Sequence, residues 1–497
     1  MGSFQKRFGW LFLLSSAGFL LSFGNQLVVS FHFGTSAELD AYWALFAAIN
    51  LLLFYVQPVR EALVPPVFTA ARADRDHASA LFSAGLAAQV VLALASMVLL
   101  ALVPVGMLAH FGVHESELGR LLFGFLPFLV LYALAETCNG LLLSFNRVVY
   151  QAVARLVAAL IGLACLWLLA GRIGVMALVL SLLTTQIVTL LASIIGLRWE
   201  KMRWTWRGFS PLWQEPRFRS IVSALLVNYL LAQVYIVVER TTMLNMQTGL
   251  VASYQYSVML VNVLISLLAF PLANLLWPRF LAQAVHEGAD SMLQTAARVV
   301  APLTLILLAC CSFTERFAVE IVQLVFARGS FDAASVAQTS QALRATVFAA
   351  LSISLFTIFS RILFSQGRGR AIAAGGISIA VSGSVVVLLA GGLDSVALVQ
   401  WHWAIGNTVG LCVILFLLLR RVAQPGQYVR AALAFLLRAS ASVLLALWAT
   451  SSVASSGDAW GPLAKLALAL IVFGGSVAVL AGLTGALDLR EMVRRRS

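Results

Sequence analysis

Charge is scarce in this sequence. Asp, Glu, Lys and Arg make up 11% of the 497 residues, less than half the roughly 25% of an ordinary soluble protein. No polar stretch is long enough for a separate water-soluble domain, so the net charge of +13 has no basic face on which to hold nucleic acid. Cysteine is sparse too. Cys138, Cys165, Cys310, Cys311 and Cys412 all lie inside apolar runs with no Cys-x-x-Cys pair, which makes them small packing residues rather than a disulfide frame. The six histidines lack paired spacing, so no metal site is expected. There is no glycine-rich phosphate loop, so the chain does not hydrolyse ATP by itself. No cofactor is implied.

What is abundant is apolar side chain, at 61% of the residues. A water-soluble chain could not bury that share, and the expected solvent is lipid. Lys6 and Arg7 precede an apolar run in the manner of a signal peptide, but the run continues to about residue 33 without a small-x-small cleavage pattern. It reads as a retained first span. Runs of about 20 apolar residues, continuous rather than alternating, recur to give about fourteen helical spans, the second over 40–70, the ninth over 296–325 and the twelfth over 395–420. The fold class expected is an all-α polytopic membrane protein. With the N-terminus inside, most basic residues fall in cytoplasmic segments, and the outer segments with their span ends keep only Arg120, Arg172, Arg328 and Lys465. That asymmetry implies an even number of spans with both termini cytoplasmic.

The one sizeable loop, 198–218, interleaves Arg with Trp and reads as a connector in the headgroup layer. It separates two similar halves. At an offset of 212 positions Ala41-Tyr42 meets Ser253-Tyr254, Asn50 meets Asn262, Pro66 meets Pro278 and Phe68 meets Phe280. Six spans lie between the copies, so both have the same orientation and the repeat is parallel. The expected organisation is a six-helix bundle over 1–197, the connector, a second six-helix bundle over 219–420, and helices 13 and 14 with a basic tail over 421–497. Such a repeat is a transporter architecture with its site between the halves.

Polar groups within the spans are the candidate site residues, because they are costly in hydrocarbon unless they face a cavity or each other. The second span carries Gln57-Pro58-Val59-Arg60-Glu61 followed by Pro65-Pro66, so its hydrogen-bond ladder must break. Arg60 and Glu61 serve either as a cavity charge and polar lining or as side chains snorkelling toward the cytoplasmic end. Asn25 and Gln26 lie mid-membrane in the first span, Asn50 in the second and Asn262 at the matching place in the eighth. Glu136 and Asn139 share a helix face in the fourth. Glu239 and Arg240 lie near the outer end of the seventh, as a structural ion pair or as substrate contacts. Gln400-Trp401-His402-Trp403 with Asn407 in the twelfth reads as a pathway lining or, favoured by its nearness to the outer boundary, as an aromatic belt.

Several of these residues resemble a known family. Gly34-Thr35-Ser36-Ala37-Glu38-Leu39-Asp40-Ala41-Tyr42 looks like the G-x-x-x-x-x-D-A-[FY] entrance to the second helix of MurJ/MviN-type flippases. Val238-Glu239-Arg240 through Gly249 and Tyr254 resembles their seventh-to-eighth helix passage. Phe326-Ala327-Arg328-Gly329-Ser330-Phe331-Asp332, followed by Gln341-Ala342-Leu343 and Arg361-Ile362-Leu363-Phe364, is similar to their [FL]-x-R-G-x-F-[DT] loop and the helix after it. These flippases form a branch of the multidrug/oligosaccharidyl-lipid/polysaccharide (MOP) exporter superfamily. The resemblance implies a bacterial inner-membrane protein that moves an undecaprenyl-diphosphate-linked saccharide outward by alternating access. It also implies a cationic cavity for the diphosphate and a groove, formed with the two extra helices, for the lipid tail. Lipid II flippases of this kind carry arginines in the first helix and after the N-L-L of the second. Here no charge lies between Trp10 and His32, Asn50-Leu51-Leu52 is followed by Leu53-Phe54, and neutral Val258-Met259 stands where the family has Asp-Arg.

These departures favour an exopolysaccharide or capsule repeat unit as cargo, with lipid II as the alternative. A cation-coupled drug antiporter and an integral glycosyltransferase are further readings. The expected partners are the lipid-linked saccharide, the phospholipid bilayer, and polysaccharide polymerase and export proteins. Drive would come from H+, Na+ or the membrane potential. The topology is directly testable: alkaline phosphatase fused at Ser330 should be active and a fusion at Trp206 inactive, and the reverse pattern would overturn the orientation.

Overall fold

The computed structural model describes residues 2–102, 115–145, 147–205, 208–286, 288–366, 368–422, 424–454 and 462–483. Trp206 and the basic C-terminal tail lie outside them. Every regular element among the described residues is helical. The first half runs α1 (Gly2–Phe33), α2 (Ala37–Leu52), α3 (Val56–Ala73), α4 (Arg75–Ala101), α5 (Glu115–Leu141), α6 (Val148–Ile173), α7 (Met176–Trp199), α8 (Ser210–Gln214) and α9 (Pro216–Met246). The second half runs α10 (Leu250–His286), α11 (Gly288–Arg316), α12 (Ala318–Phe326), α13 (Ala333–Thr346), α14 (Ala349–Ser365), α15 (Gly369–Gly392), α16 (Val396–Leu419), α17 (Pro425–Ala454) and α18 (Pro462–Leu483).

Ten of these helices are long and apolar enough to cross a membrane, and two bent pairs, α2 with α3 and α13 with α14, bring the number to twelve. The described residues thus hold ten to twelve candidate spans, against about fourteen expected from the sequence. The all-helical polytopic class expected from composition is what the structure shows. Two boundaries differ from the sequence reading. The ninth span ends at Arg316 and resumes as the separate short helix α12. The second breaks at 53–55, bending by 45°, and not at its prolines.

For Pro58 the reason lies in where it stands. Pro58 occupies the first turn of α3, where a missing N–H leaves no partner wanting. At the break, the Val56 N–H turns to Leu53 O, which frees the Leu52 carbonyl; Ser96 Oγ on α4 donates to it at 3.0 Å. Gln89 Nε2, also on α4, donates to Val56 O at 3.2 Å, and Ser144 Oγ to Val64 O at 3.1 Å. Hydroxyl and amide side chains from neighbouring helices thus supply what water cannot in hydrocarbon.

The chain gathers into two compact units. One comprises Met1–Ala252 with Arg328–Phe331, the other Ser253–Ala327 with Asp332–Ser497. The packing division falls at 252 because α9 packs on α2 and α3; it is a division of contacts and not of the sequence repeat. The core of the first unit includes Leu63, Leu81, Leu141 and Leu142, and takes in Leu212 and Phe218 from the connector region. The connector is pinned there: Arg75 Nη1 donates to Glu200 O at 2.8 Å, Arg147 Nε to Glu200 Oε1 at 2.6 Å, and the Thr205 N–H to Ser83 Oγ at 2.8 Å. Trp199, Trp204 and Trp213 remain exposed. In the second unit a core around Leu276, Phe280, Ile358, Ile362 and Ile414 holds α10, α11, α14 and α16 together. Small residues let α16 approach α15 closely: a Cβ on Gly406 would lie 3.2 Å from Ile379 O, as expected where lipid supplies no hydrophobic drive between helices.

The Arg328–Phe331 segment folds onto the end of α1 in the first unit. The Ser330 N–H donates to Phe31 O at 2.8 Å. Gly329 sits at φ +62°, and a Cβ there would fall on the Phe31 carbonyl. Asp332 then caps α13, accepting from the N–H and the hydroxyl of Ser335, each at 2.8 Å. These bonds hold its carboxyl below the usual range. Gly329→Ala should destabilise the protein by roughly 1–3 kcal/mol, from backbone strain plus the clash. A melting midpoint in detergent equal to that of the wild type would contradict this docking.

Candidate functional site

Three helices of the first unit converge on one carboxylate. Arg60 on α3 donates from Nη1 to Glu136 Oε2 on α5 at 2.7 Å. Arg155 on α6 donates from Nη2 to the same oxygen at 2.8 Å. Arg155 Nε also donates to Asn139 Oδ1 at 2.8 Å. Asn139 is itself fixed, its Nδ2 donating to Ser193 Oγ at 3.3 Å and its carbonyl accepting from Gln151 Nε2 at 3.0 Å. Glu61 lies 3.7 Å from Arg60 Nη2 and accepts from the Tyr229 hydroxyl at 3.2 Å. One turn before Glu136, the Tyr132 hydroxyl accepts from Gln57 Nε2 at 3.4 Å.

The local sequence explains the meeting. Tyr132, Glu136 and Gly140 are spaced by four and lie along one face of α5. Gly140 has no side chain, so Arg60 lies across α5 at that point; a Cβ on Gly140 would fall on Arg60 Cδ. On α6, Gln151 and Arg155 are again four apart and both reach Asn139. The side chains of Arg60 and Glu136 are 18% and 14% exposed, while Arg155 at 46% and Glu61 at 40% are more open. Two cations face two carboxylates, which is how charges persist inside apolar spans.

The structure thus brings together four of the sequence candidates: Arg60, Glu61, Glu136 and Asn139. It joins none of the others to them by a hydrogen bond among the described residues. Asn50 Nδ2 donates to Phe46 O within its own helix at 2.9 Å. Asn25 and Gln26 are half-buried on α1, and Asn262 is exposed on α10. Glu239 and Arg240 are buried and form an adjacent pair at 3.3 Å, with Arg240 Nη1 donating to Val251 O at 3.4 Å. The neighbouring Asp40 carboxylate accepts from the N–H groups of Gly249 and Ala252, the latter at 2.7 Å, so the turn into α10 is held through both its donors and an acceptor.

In the sequence Arg155 reads as one of the basic residues near a cytoplasmic span end; its four-residue spacing from Gln151 inside an apolar run is the signal that marks it as a site residue. The twelfth-span belt also differs in the structure. Trp401 is partly exposed and stacks on Phe348, but Gln400 and His402 are buried. His402 Nε2 lies 3.0 Å from the Tyr254 hydroxyl and Nδ1 2.7 Å from Val399 O. A polar side chain on the helix-facing side of a span finds partners in protein, not in the headgroup layer.

Comparison with solved structures places this fold among the MOP-superfamily transporters. A structure titled "Lipid II flippase MurJ, inward closed conformation" superposes with a TM-score of 0.77 at 15% identity, over 95% of this chain and 99% of that one. An inward-facing multidrug resistance MATE family transporter gives 0.64 at 14% identity, over 82% and 96%. A MOP superfamily transporter from Pyrococcus furiosus gives 0.57 at 13%, over 84% and 94%. No curated protein matches the chain by sequence. The family profile described as "Lipid II flippase MurJ" matches residues 29–470. The chain belongs to the MurJ family. It is a multi-pass membrane transporter, not an enzyme, and the glycosyltransferase reading is set aside.

Gly140→Ala should push Arg60 off α5 and away from Glu136. A double-mutant cycle with Arg60→Ala, read by thermal unfolding in detergent, should show a coupling of roughly 0.5–3 kcal/mol. Strict additivity would mean that Gly140 does not position the arginine.

Proposed function

We propose that this protein flips an undecaprenyl-diphosphate-linked oligosaccharide, a repeat unit of exopolysaccharide or capsule, across the bacterial cytoplasmic membrane by alternating access, and that Arg60 holds the diphosphate. The observation that carries this reading is an arginine within a span whose charge is met by Glu136 on another helix at 2.7 Å. An anionic headgroup can cross the membrane interior only against such cations, since burying its charges unpaired is prohibitive. A guanidinium fork also matches phosphate oxygens with paired bonds. The family supplies the cargo class. The polysaccharide assignment rests on the neutral first span and on Leu53-Phe54 after Asn50-Leu51-Leu52. Lipid II is the second reading, favoured by the description of the matching family profile.

The organisation we propose keeps two parallel repeats, 1–197 and 219–420, joined by the connector, with 421–497 as an adjunct for the lipid tail. Both termini and the connector are cytoplasmic in this reading. Asn25, Gln26, Asn50, Glu239, Arg240 and Asn262 are proposed to act as polar lining.

Deleting the gene should abolish surface polysaccharide while cells keep dividing, with a lipid-linked oligosaccharide accumulating on the cytoplasmic leaflet. Lysis with trapped lipid II would establish the second reading instead. Arg60→Ala should reduce export severely at normal protein abundance, and Arg60→Lys should restore only part. Normal export by Arg60→Ala would move the anion site elsewhere.

A further inference from the structure

Resting on that reading, we infer that Glu136 is a resident counter-ion which the substrate diphosphate displaces from a two-arginine clamp, and that Arg155 is the second arm of that clamp. Both guanidinium groups converge on a single carboxylate oxygen, Oε2 of Glu136, at 2.7 and 2.8 Å. One carboxylate carries one charge and two oxygens. A diphosphate diester carries two charges and more acceptor oxygens, so it matches two convergent guanidinium forks better than Glu136 does.

The supports of the clamp do not depend on Glu136. Arg155 keeps its bond to Asn139 Oδ1, and Asn139 is held by Ser193 and Gln151. Arg60 stays laid across Gly140. With both arms positioned by other groups, the carboxylate is the member that a ligand replaces without rebuilding the site. Arg155 and Glu61, at 46% and 40%, are more exposed than Arg60 and Glu136, so a ligand reaches the outer edges of the cluster before its centre. Arg155 is seven residues into α6, about 10 Å of helix. The clamp therefore lies inside the span, a short way from the end that carries Arg147 and that the basic-residue asymmetry assigns to the cytoplasm.

Glu136 serves two purposes in this arrangement. Without substrate it balances the arginines, which would otherwise stand as uncompensated charges in hydrocarbon. With substrate it competes, so the diphosphate is held loosely enough to leave. Removing its charge should therefore tighten binding and slow turnover together, a split that a purely structural carboxylate would not produce.

The test uses the full-length protein in phosphatidylcholine nanodiscs, with inorganic pyrophosphate as the probe and calorimetry as the readout. Glu136→Gln should bind pyrophosphate about tenfold more tightly than wild type, and adding Arg155→Ala should cancel that gain. Unchanged or weaker binding by Glu136→Gln overturns the exchange, and an Arg155→Ala change without effect removes the second arm. Should Glu136→Gln not yield monodisperse protein, Glu136→Asp, too short to serve both arginines, should bind several-fold more tightly; unchanged affinity there overturns the exchange equally. Inorganic phosphate bound as tightly as pyrophosphate overturns the diphosphate match. Loss of pyrophosphate binding in phosphatidylglycerol nanodiscs assigns the clamp to a phospholipid phosphate and overturns it too. Failure of the flippase reading shows separately: tight pyrophosphate binding by Glu136→Gln, with no lipid-linked saccharide accumulating in a deletion strain, leaves the exchange standing and removes the cargo.

Discussion

A charge placed in hydrocarbon has to find its counter-charge within the protein, and the first unit is arranged around that requirement. Arg60 lies inside a span, where water does not compensate it. Its position draws in Glu136 from α5, and Glu136 in turn draws in Arg155 from α6. Three helices are registered against one another by one carboxylate oxygen, with Arg60 reaching it from 76 positions away. The absence of a side chain at Gly140 lets Arg60 reach it. The same rule governs neutral groups. The carbonyl freed where α2 meets α3 is taken up by Ser96, so the bend is stable in a medium that offers no hydrogen bonds.

This economy connects packing to function. A transporter for an anionic headgroup needs cations in its interior, yet cannot leave them bare when empty. In the function we propose, a carboxylate shared by two arginines meets both needs, because it neutralises the resting site and yields to a ligand carrying more charge. Elsewhere the chain uses polar groups to hold turns. Asp40 receives two N–H groups at the start of α10 while Arg240 donates to Val251 O, and Gly329 lets the following segment lie against the end of α1. These residues belong to the motifs that carried the family resemblance, so part of that resemblance records backbone geometry and not contact with cargo.

The sequence by itself determined the helical, membrane-spanning class. Its low charge and continuous apolar runs admit no other solvent, and the loop motifs were enough to point to the family. It also marked Arg60, Glu61, Glu136 and Asn139 as costly in lipid. Tertiary structure decided which of them meet. Adjacent Arg60 and Glu61 invite pairing on paper, but side chains one position apart on a helix diverge by about 100°, and the nearer partner of Arg60 came from 76 positions away. Arg155 looked like an orientation signal at a span end until α6 packed beside α5. The second span breaks at 53–55, where α4 places a partner for the freed Leu52 carbonyl; Pro58 in a first turn costs no hydrogen bond, and Pro65-Pro66 stay within α3. Burial cost is a property of a residue and its run, so sequence reports it; pairing is a property of which helices lie side by side, so only the fold does.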